Sequence, residues 1–361
     1  MNPVRLSGSV RIVGAGLLGT SIGLALSKLG VDTILEDLSP ANQRLAIDYG
    51  AGRAPQAGDN PEIIVVCVPP DVTAKSVARE LTDYPNAVVT DVASVKAQIL
   101  NDLVAVGADV TRYVGSHPMA GRERGGALSG RADLFFTRPW VIAGHDSSTA
   151  HALAEVEKLA LDLGAVPTRL DAMTHDRAVA LVSHLPQIIS TLLAARLSGA
   201  DASDVALAGQ GLRDTTRIAA SDPALWVQIL GANVNEVLPL LESYALDLEQ
   251  LIGALTKLEQ PGSLSVIGDA LKRGNRGVEL IPGKHGSQQK NYARIVVMLD
   301  DKPGQLAKLF TEIGEIGVNI EDLALEHSPG AQVGLAEIFV LPEAELHLIN
   351  ALTERSWRIA G

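Results

Sequence analysis

The chain is short of the residues that staple or stiffen a protein. Cys67 is its single cysteine, which excludes an intrachain disulfide and any cysteine-rich metal centre. That cysteine sits in the apolar run Ile63-Ile64-Val65-Val66-Cys67-Val68, the setting of a buried structural thiol. Aromatic residues make up 3% of the chain against 47% apolar. Ala, Leu, Val and Ile must therefore build the core, which favours α/β and helical layers over an aromatic-rich sandwich. Positive charge is also scarce, with 30 Lys and Arg facing 42 Asp and Glu for a net charge of −12. This argues against nucleic acid or an anionic membrane as partner, and an anionic substrate must be caught by individually placed arginines. No apolar run reaches the roughly 20 residues of a bilayer span. Residues 1–8 lead straight into a strand, without the charged-then-apolar pattern of a signal peptide. The expectation is a soluble, cytoplasmic protein with no membrane partner and no metal site.

At 361 residues the chain exceeds one ordinary core, and two or three domains are expected. Strands and helices alternate over residues 1–171. A strand at 9–13 leads into a glycine loop and a helix over 20–29 that Gly30 stops. Further strands are expected at 32–36, 63–68, 87–90, 112–115 and 139–143. Such alternation predicts a Rossmann-type doubly wound, mostly parallel sheet that binds ligands beyond the carboxyl ends of its strands.

Helical periodicity takes over across residues 172–272. Ala178, Leu181, Val182 and Leu185 fall at helix spacing, Pro186 should kink that helix, and Asp222-Pro223 reads as a capped helix start. Apolar residues occupy more than one face, so a partner subunit is expected to cover some of them and make a homodimer. Residues 273–290, rich in Gly, Lys, Arg and Gln, read as a linker. Beyond it, residues 291–361 follow a β-α-β-β-α order closed by a short strand at 357–359, a small α+β module.

Three short stretches are placed to meet at one sheet edge. Gly14-Ala15-Gly16-Leu17-Leu18-Gly19 follows a strand and opens a helix, the context of a dinucleotide fingerprint. Gly14 permits the tight turn, Gly16 lets a pyrophosphate approach the backbone, and Gly19 lets helix and strand pack closely. The N–H groups at that helix start, from Leu17 and Leu18 onward, complete the cradle. The acidic pair Glu36-Asp37 ends the next strand, where an acid accepts the ribose hydroxyls of NAD and repels the extra phosphate of NADP. Register leaves Glu36 open, and the turn through Ser39-Pro40 favours Asp37.

The second stretch, Asp91-Val92-Ala93-Ser94-Val95-Lys96, offers the Ser94 hydroxyl, either as cap of a helix beginning at Val95 or as donor to a substrate oxygen. The third, Gly115-Ser116-His117-Pro118-Met119-Ala120-Gly121, offers an imidazole in a glycine-bounded loop. Oxidation of an alcohol needs a base near neutral pH, and His117 fits; the bland alternative is a loop histidine bonded to backbone. Among the other histidines, His175 is as well explained as a local helix cap beside Asp176, and His184 as a satisfied core residue. Arg213 and Arg217 would share a face of a helix over 212–220, where a salt bridge to Asp214 competes with a role as carboxylate receptor.

These motifs, with Ser183-His184-Leu185-Pro186-Gln187 and Arg213-Asp214-Thr215-Thr216-Arg217-Ile218-Ala219, occur in family order, and the chain resembles the prephenate/arogenate dehydrogenases of tyrosine biosynthesis with a C-terminal ACT domain. The resemblance covers nearly the whole length. It implies that His117 takes the proton of the ring hydroxyl, with Ser94 bonded near the same oxygen. Arg217 would bind the ring carboxylate, His184 and Arg213 would line the pocket, and Glu123 would sit at its rim. Two positions depart from the family pattern, Ala93 for a usual glycine and Arg124 for a common lysine. NAD is the implied cofactor and prephenate or arogenate the implied substrate. The C-terminal module implies L-tyrosine as effector. Gly304 would open a helix start to its carboxylate, Asp301 would take its ammonium, and Asn319 would bond across a paired module.

Two other readings compete. A 3-hydroxyacid dehydrogenase would rely on a lysine in the helical region, yet none occurs between Lys158 and Lys257. A non-catalytic NAD or amino-acid sensor would not need His117, Ser94 and Arg217 together.

Overall fold

A computed structural model of the chain describes residues 4–121, 125–282, 292–327 and 333–360. Glu123 and Arg124 lie outside the described residues.

Seven strands form the first sheet: β1 (Val10–Val13), β2 (Thr33–Glu36), β3 (Ile63–Val66), β4 (Val88–Asp91), β5 (Tyr113–Pro118), β6 (Pro139–Ala143) and β7 (Val166–Arg169). Their order is β2-β1-β3-β4-β5-β6-β7. All neighbours are parallel except β5 and β6. Arg53 adds a lone parallel bridge to Ile34 outside β2. With that bridge counted as a vestigial strand, the first half has the strand sequence of a dinucleotide-binding fold, and its topological switch lies between β1 and β3. Strands such as Val10–Val13 and Ile63–Val66 are buried along their whole length, as expected of a parallel sheet covered on both faces. Cys67 follows β3 half-buried, and burial pushes its thiol up, which makes it an inert structural residue.

The helical region departs from expectation in three ways. At Pro186, where a kink was expected, the helix widens. A π-helical turn, Ala180–His184, absorbs the missing N–H immediately before Leu185–Ala195, the local widening that relieves a carbonyl facing a proline ring. Second, the helical stretch Ala172–Ala195 is 24 residues long and holds an 18-residue window of mean hydropathy 1.6, long and apolar enough by length and composition to cross a membrane. A count of uninterrupted apolar residues misses it because His175, Asp176 and His184 punctuate the run. These three are buried against protein, the opposite of a lipid-facing arrangement. Third, the helix Ser263–Glu279 runs through the first part of the segment read as a linker. Lys272, Arg273 and Arg276 sit toward its C-terminal end, where the helix dipole favours cations. Asp222 caps Pro223–Ala232 as expected, accepting from the Ala224 N–H at 2.9 Å.

The chain divides into two compact units, Met1–Leu193 with Ile218–Ser243, and Ala194–Arg217 with Tyr244–Gly361. The helical region is therefore shared between units and makes no compact body of its own. Its helices expose Leu181, Val182, Leu192, Val227, Leu246 and Ile252, apolar surface that the single chain leaves uncovered.

The C-terminal module contains β8 (Ala293–Asp300), β9 (Asp322–His327), β10 (Val333–Val340) and β11 (Arg358–Ala360), in the order β11-β8-β10-β9. All pairs are antiparallel. The helices Gln305–Ile316 and Glu345–Glu354 complete a βαββαβ unit of the split βαβ type. Ile295, Val297, Leu309, Ile313, Ile338 and Leu348 fill its core.

Candidate active site

The carboxyl ends of β1, β2, β4 and β5 carry the candidate residues. Gly14 has φ +109°, and a Cβ there would lie 2.4 Å from the Cys67 carbonyl oxygen. A Cβ on Gly19 would lie 1.9 Å from the Gly14 oxygen, whereas one on Gly16 would meet nothing within 4 Å. Two glycines are thus demanded by the protein's own packing, while Gly16 borders open space where a pyrophosphate can approach. The helix Leu17–Lys28 begins there with no side-chain cap and no acid in its first turn. Leu17 and Leu18 therefore present backbone N–H groups free for an anion. The cradle fits a dinucleotide.

The acidic pair at the end of β2 divides its labour. Glu36 pairs with the buried Arg11, which also donates to Glu80 at 2.9 Å. Asp37 accepts from the N–H groups of Ala15 and Ser39, each at 2.7 Å, so its carboxylate ties the glycine loop to the end of β2.

Ser94 does not cap a helix. The helix begins later, at Ala97, and its first N–H groups are satisfied from afar. Asp176 accepts from Lys96 N and Ala97 N, each at 2.8 Å. The Ser94 hydroxyl, half-buried at the edge of β4, is left with no hydrogen bond among the described residues.

His117 ends β5 two residues beyond Gly115, the register partner of Asp91 on β4. Its Nδ1 lies 2.9 Å from His175 Nε2, and His175 Nδ1 lies 2.7 Å from Asp176 Oδ1. His175 is fully buried and Asp176 nearly so. The Asp176 carboxylate can only accept, so His175 donates through Nδ1. With one proton on each ring, His175 Nε2 then accepts from His117 Nδ1, and the lone pair of His117 is left on Nε2. Burial first, then the neighbouring His175, Lys96 and His184, holds His117 well below the usual histidine range. The imidazole is unprotonated at neutral pH, as a base must be.

His184 has the opposite polarity. The Asn233 amide donates to the Asp176 carbonyl at 2.9 Å and to His184 Nδ1 at 3.1 Å. That leaves the His184 proton on Nε2. Burial pushes its pKa down to about 4, against the pull of Asp176 and with the help of His175. Trp226 packs edge-on against the ring at 5.9 Å. The two imidazoles thus offer one acceptor and one donor.

Arg213 and Arg217 belong to the second compact unit and are exposed. They do not share one uninterrupted helix, because Gln210–Thr216 gives way to a 3-10 turn at Arg217–Ala219. Asp214 accepts from Gln210 Nε2 at 2.7 Å, so the expected Asp214 ion pair is replaced by a hydrogen bond within the helix. In the C-terminal module Gly304 stands at φ +88° before the helix Gln305–Ile316, which has no side-chain cap. Asp301 is exposed. Asn319 donates to Glu321 at 2.8 Å within its own chain.

The residues that sequence reasoning passed over are Asp176, Lys96, Asn233 and Trp226. An acid beside His175 in an apolar helix was the one available signal.

A glycine cradle, a carboxylate-tied loop and a tautomer-ordered imidazole at the carboxyl ends of one sheet define an NAD-dependent dehydrogenase with a Rossmann-type sheet and a helical second region. Residues 22–168 match the family model of the prephenate dehydrogenase nucleotide-binding domain, and residues 171–266 that of the prephenate dehydrogenase dimerization domain. The chain belongs to the prephenate dehydrogenase family. It is 36% identical over 353 residues to "Probable prephenate dehydrogenase NovF" of Streptomyces niveus, covering 96% of this chain and 98% of that protein. A match of that extent includes most of the C-terminal module. Among solved structures, prephenate dehydrogenase from A. aeolicus in complex with hydroxyphenyl propionate and NAD+ superposes with TM-score 0.65 at 25% identity, covering 76% of this chain and 99% of that one. Synechocystis arogenate dehydrogenase superposes with TM-score 0.60 at 26% identity, covering 75% and 99%.

Proposed function

We propose that the chain catalyses the NAD-dependent oxidative decarboxylation of prephenate to 4-hydroxyphenylpyruvate and CO2 in L-tyrosine biosynthesis, with His117 as base. The observation that carries this reading is the ordered series Asp176–His175–His117, which aims one imidazole lone pair away from its own support. Gly14, Gly16, Leu17, Leu18 and Gly19 would hold the pyrophosphate and Asp37 a ribose of NAD, which when bound supplies the hydride acceptor. His117 Nε2 takes the ring hydroxyl proton as hydride leaves the same carbon, and Ser94 donates to that oxygen. The oxidised ring then loses its carboxylate as CO2, because aromatisation drives the loss. The proton on His117 returns to the phenolate oxygen, so the enzyme ends as it began. By the family resemblance Arg217 would receive the ring carboxylate and Arg213 and His184 would contact the substrate; Glu123, which the resemblance gives a place beside it, lies outside the described residues. These groups are mostly cations and donors. The buried acid Asp176 is already occupied by three donors, which favours the keto side chain of prephenate over the ammonium of arogenate.

The division of the chain that goes with this reading is a nucleotide-binding domain over 1–171, a helical domain over 172–272, a connecting segment over 273–290, and an ACT-like regulatory domain over 291–361. The exposed apolar residues of the helical region support a homodimer, and the net charge supports a soluble, cytoplasmic enzyme. The ferredoxin-like strand order and the uncapped helix behind Gly304 support L-tyrosine as an effector, with Asp301 and Asn319 beside it.

The deciding assay follows NADH absorbance with prephenate, arogenate and 3-hydroxyacids, each with NAD and NADP. The expected result is the highest kcat/KM with prephenate and NAD. A higher value with arogenate overturns the substrate, and no turnover with either overturns the enzyme.

A further inference from the structure

Lys96 is almost wholly buried, with 1% of its surface exposed. Its Nζ bonds the Asp91 carboxylate and lies 2.7 Å from the Ser116 carbonyl oxygen. That carbonyl belongs to the peptide bond whose nitrogen is His117. Asp91 is otherwise fully engaged, accepting from the Tyr113 hydroxyl at 2.7 Å and from Ala93 N at 2.9 Å. The main-chain N–H of Lys96 meanwhile donates to Asp176, the carboxylate that orders His175. One residue therefore reaches His117 along two routes, through the strand ahead of it and through the histidine behind it.

We propose that Lys96 is a positioning residue of this active site, its ammonium joining the Asp91 carboxylate on β4 to the Ser116 carbonyl on β5 and so holding the Ser94 loop against the strand that carries His117. The proposal rests on His117 being the base. Stability alone is a poor account of the pair. Desolvation of a buried lysine and aspartate offsets most of their attraction, and apolar side chains of like volume hold strand ends as well. A cation at this place does something an apolar residue cannot, because it disfavours a second positive charge on His117. The groups that act on His117 are His175 from the helix Ala172–Val179, His184 from the π-turn and Lys96 from the loop after β4, with Asp176 bonded to His175, Asp91 to Lys96 and the Tyr113 hydroxyl to Asp91. Among them Lys96 stands with His175 and His184 in holding the imidazole unprotonated, behind burial itself.

The test uses the full-length chain carrying Lys96→Met and, separately, Asp91→Asn with Lys96→Met. The double variant removes both charges and leaves no buried carboxylate unpaired, so it carries the experiment if the single variant does not fold. The His117 imidazole is titrated by NMR in protein labelled with 13C-histidine, with His117→Asn giving its assignment. In both variants the His117 midpoint should rise by about half a pH unit or more, and kcat should fall about tenfold or more as alignment is lost, while NAD affinity holds. An unchanged kcat overturns the alignment and an unmoved midpoint overturns the charge effect, and either result sinks the proposal. The titration needs no substrate, so it stays readable if prephenate proves the wrong substrate. A His117→Asn variant with full activity would instead remove the base itself.

Discussion

His117 Nδ1 faces His175 Nε2 at 2.9 Å, the two rings meeting edge to face with 78° between their planes. Because His175 spends its own proton on Asp176, the contact runs one way, and His117 is left with a lone pair on the outer nitrogen. Replacement of His117 by Asn should lower kcat by about 10^2–10^4 with little change in KM. In the wild type the acid limb of kcat/KM should fall below 6.5, the ordinary histidine value, since burial and nearby positive groups depress His117. That limb should vanish in the variant. Steady-state kinetics across pH check both, and a near-wild-type kcat removes His117 from the mechanism.

The glycine cradle separates stability from binding. Gly16→Ala adds a methyl that meets no protein atom, so unfolding free energy should change by no more than about 0.5 kcal/mol while NAD binding weakens. Gly19→Ala forces a Cβ onto the Gly14 carbonyl and should cost about 1–3 kcal/mol of stability. Urea unfolding and calorimetric titration with NAD distinguish them. Equal stability loss in both would mean the open side of Gly16 is needed for folding. In the same experiment Asp37→Ser should raise the preference for NADP relative to NAD.

Arg217→Ala should act on affinity. Loss of a charge-assisted pair to a carboxylate costs about 1.5–3 kcal/mol, read as a rise in KM for prephenate at nearly constant kcat. An unchanged KM assigns the ring carboxylate to another residue.

Acid should destabilise the fold through His184. Its folded pKa is about 4 against an ordinary 6.5. Between those values the unfolded chain holds a proton that the folded one excludes, so stability rises with pH across the window and is lost as pH falls. The slope from this group is about 1.4 kcal/mol per pH unit. Denaturant unfolding at a series of pH values should show a shallower slope in His184→Asn, and parallel curves for the two proteins would contradict the assignment.

Deleting residues 291–361 should leave a catalytically competent homodimer by sedimentation, with any tyrosine inhibition that is noncompetitive with substrate abolished. Gly304→Val should have the same effect on inhibition, since the backbone there adopts φ +88° and a β-branched residue resists that conformation. Tyrosine must bind the low-activity conformation more tightly to inhibit at all. Inhibition that survives truncation places tyrosine in the active site as a product analogue, and a monomeric truncated chain places the dimer contact in the module.

Most elements were legible because they are local. The strands ending at Val13, Glu36, Val66 and Asp91, the glycine loop between β1 and its helix, and the βαββαβ order after residue 291 follow from periodicity and turn chemistry within a few residues. The cap offered as one of two readings of Ser94 was not. The group that satisfies the helix start at Ala97 is Asp176, 79 residues away, and no local rule can locate so distant a partner. The membrane-length helix and the helical start of the linker were missed for a related reason, since both depend on averages that single polar residues and glycines obscure.

The residue types and their spacing by themselves determined the dinucleotide cradle, the imidazole at the end of β5 and the class of chemistry, because backbone turns and side-chain reactivity are written in adjacent residues. Only the tertiary structure decided which atom of His117 is free, which way the His184 proton points, and that Asp176 stands behind both. Those are properties of hydrogen bonds between segments far apart in the chain, and a proton's place is set by the acceptor it meets in the fold.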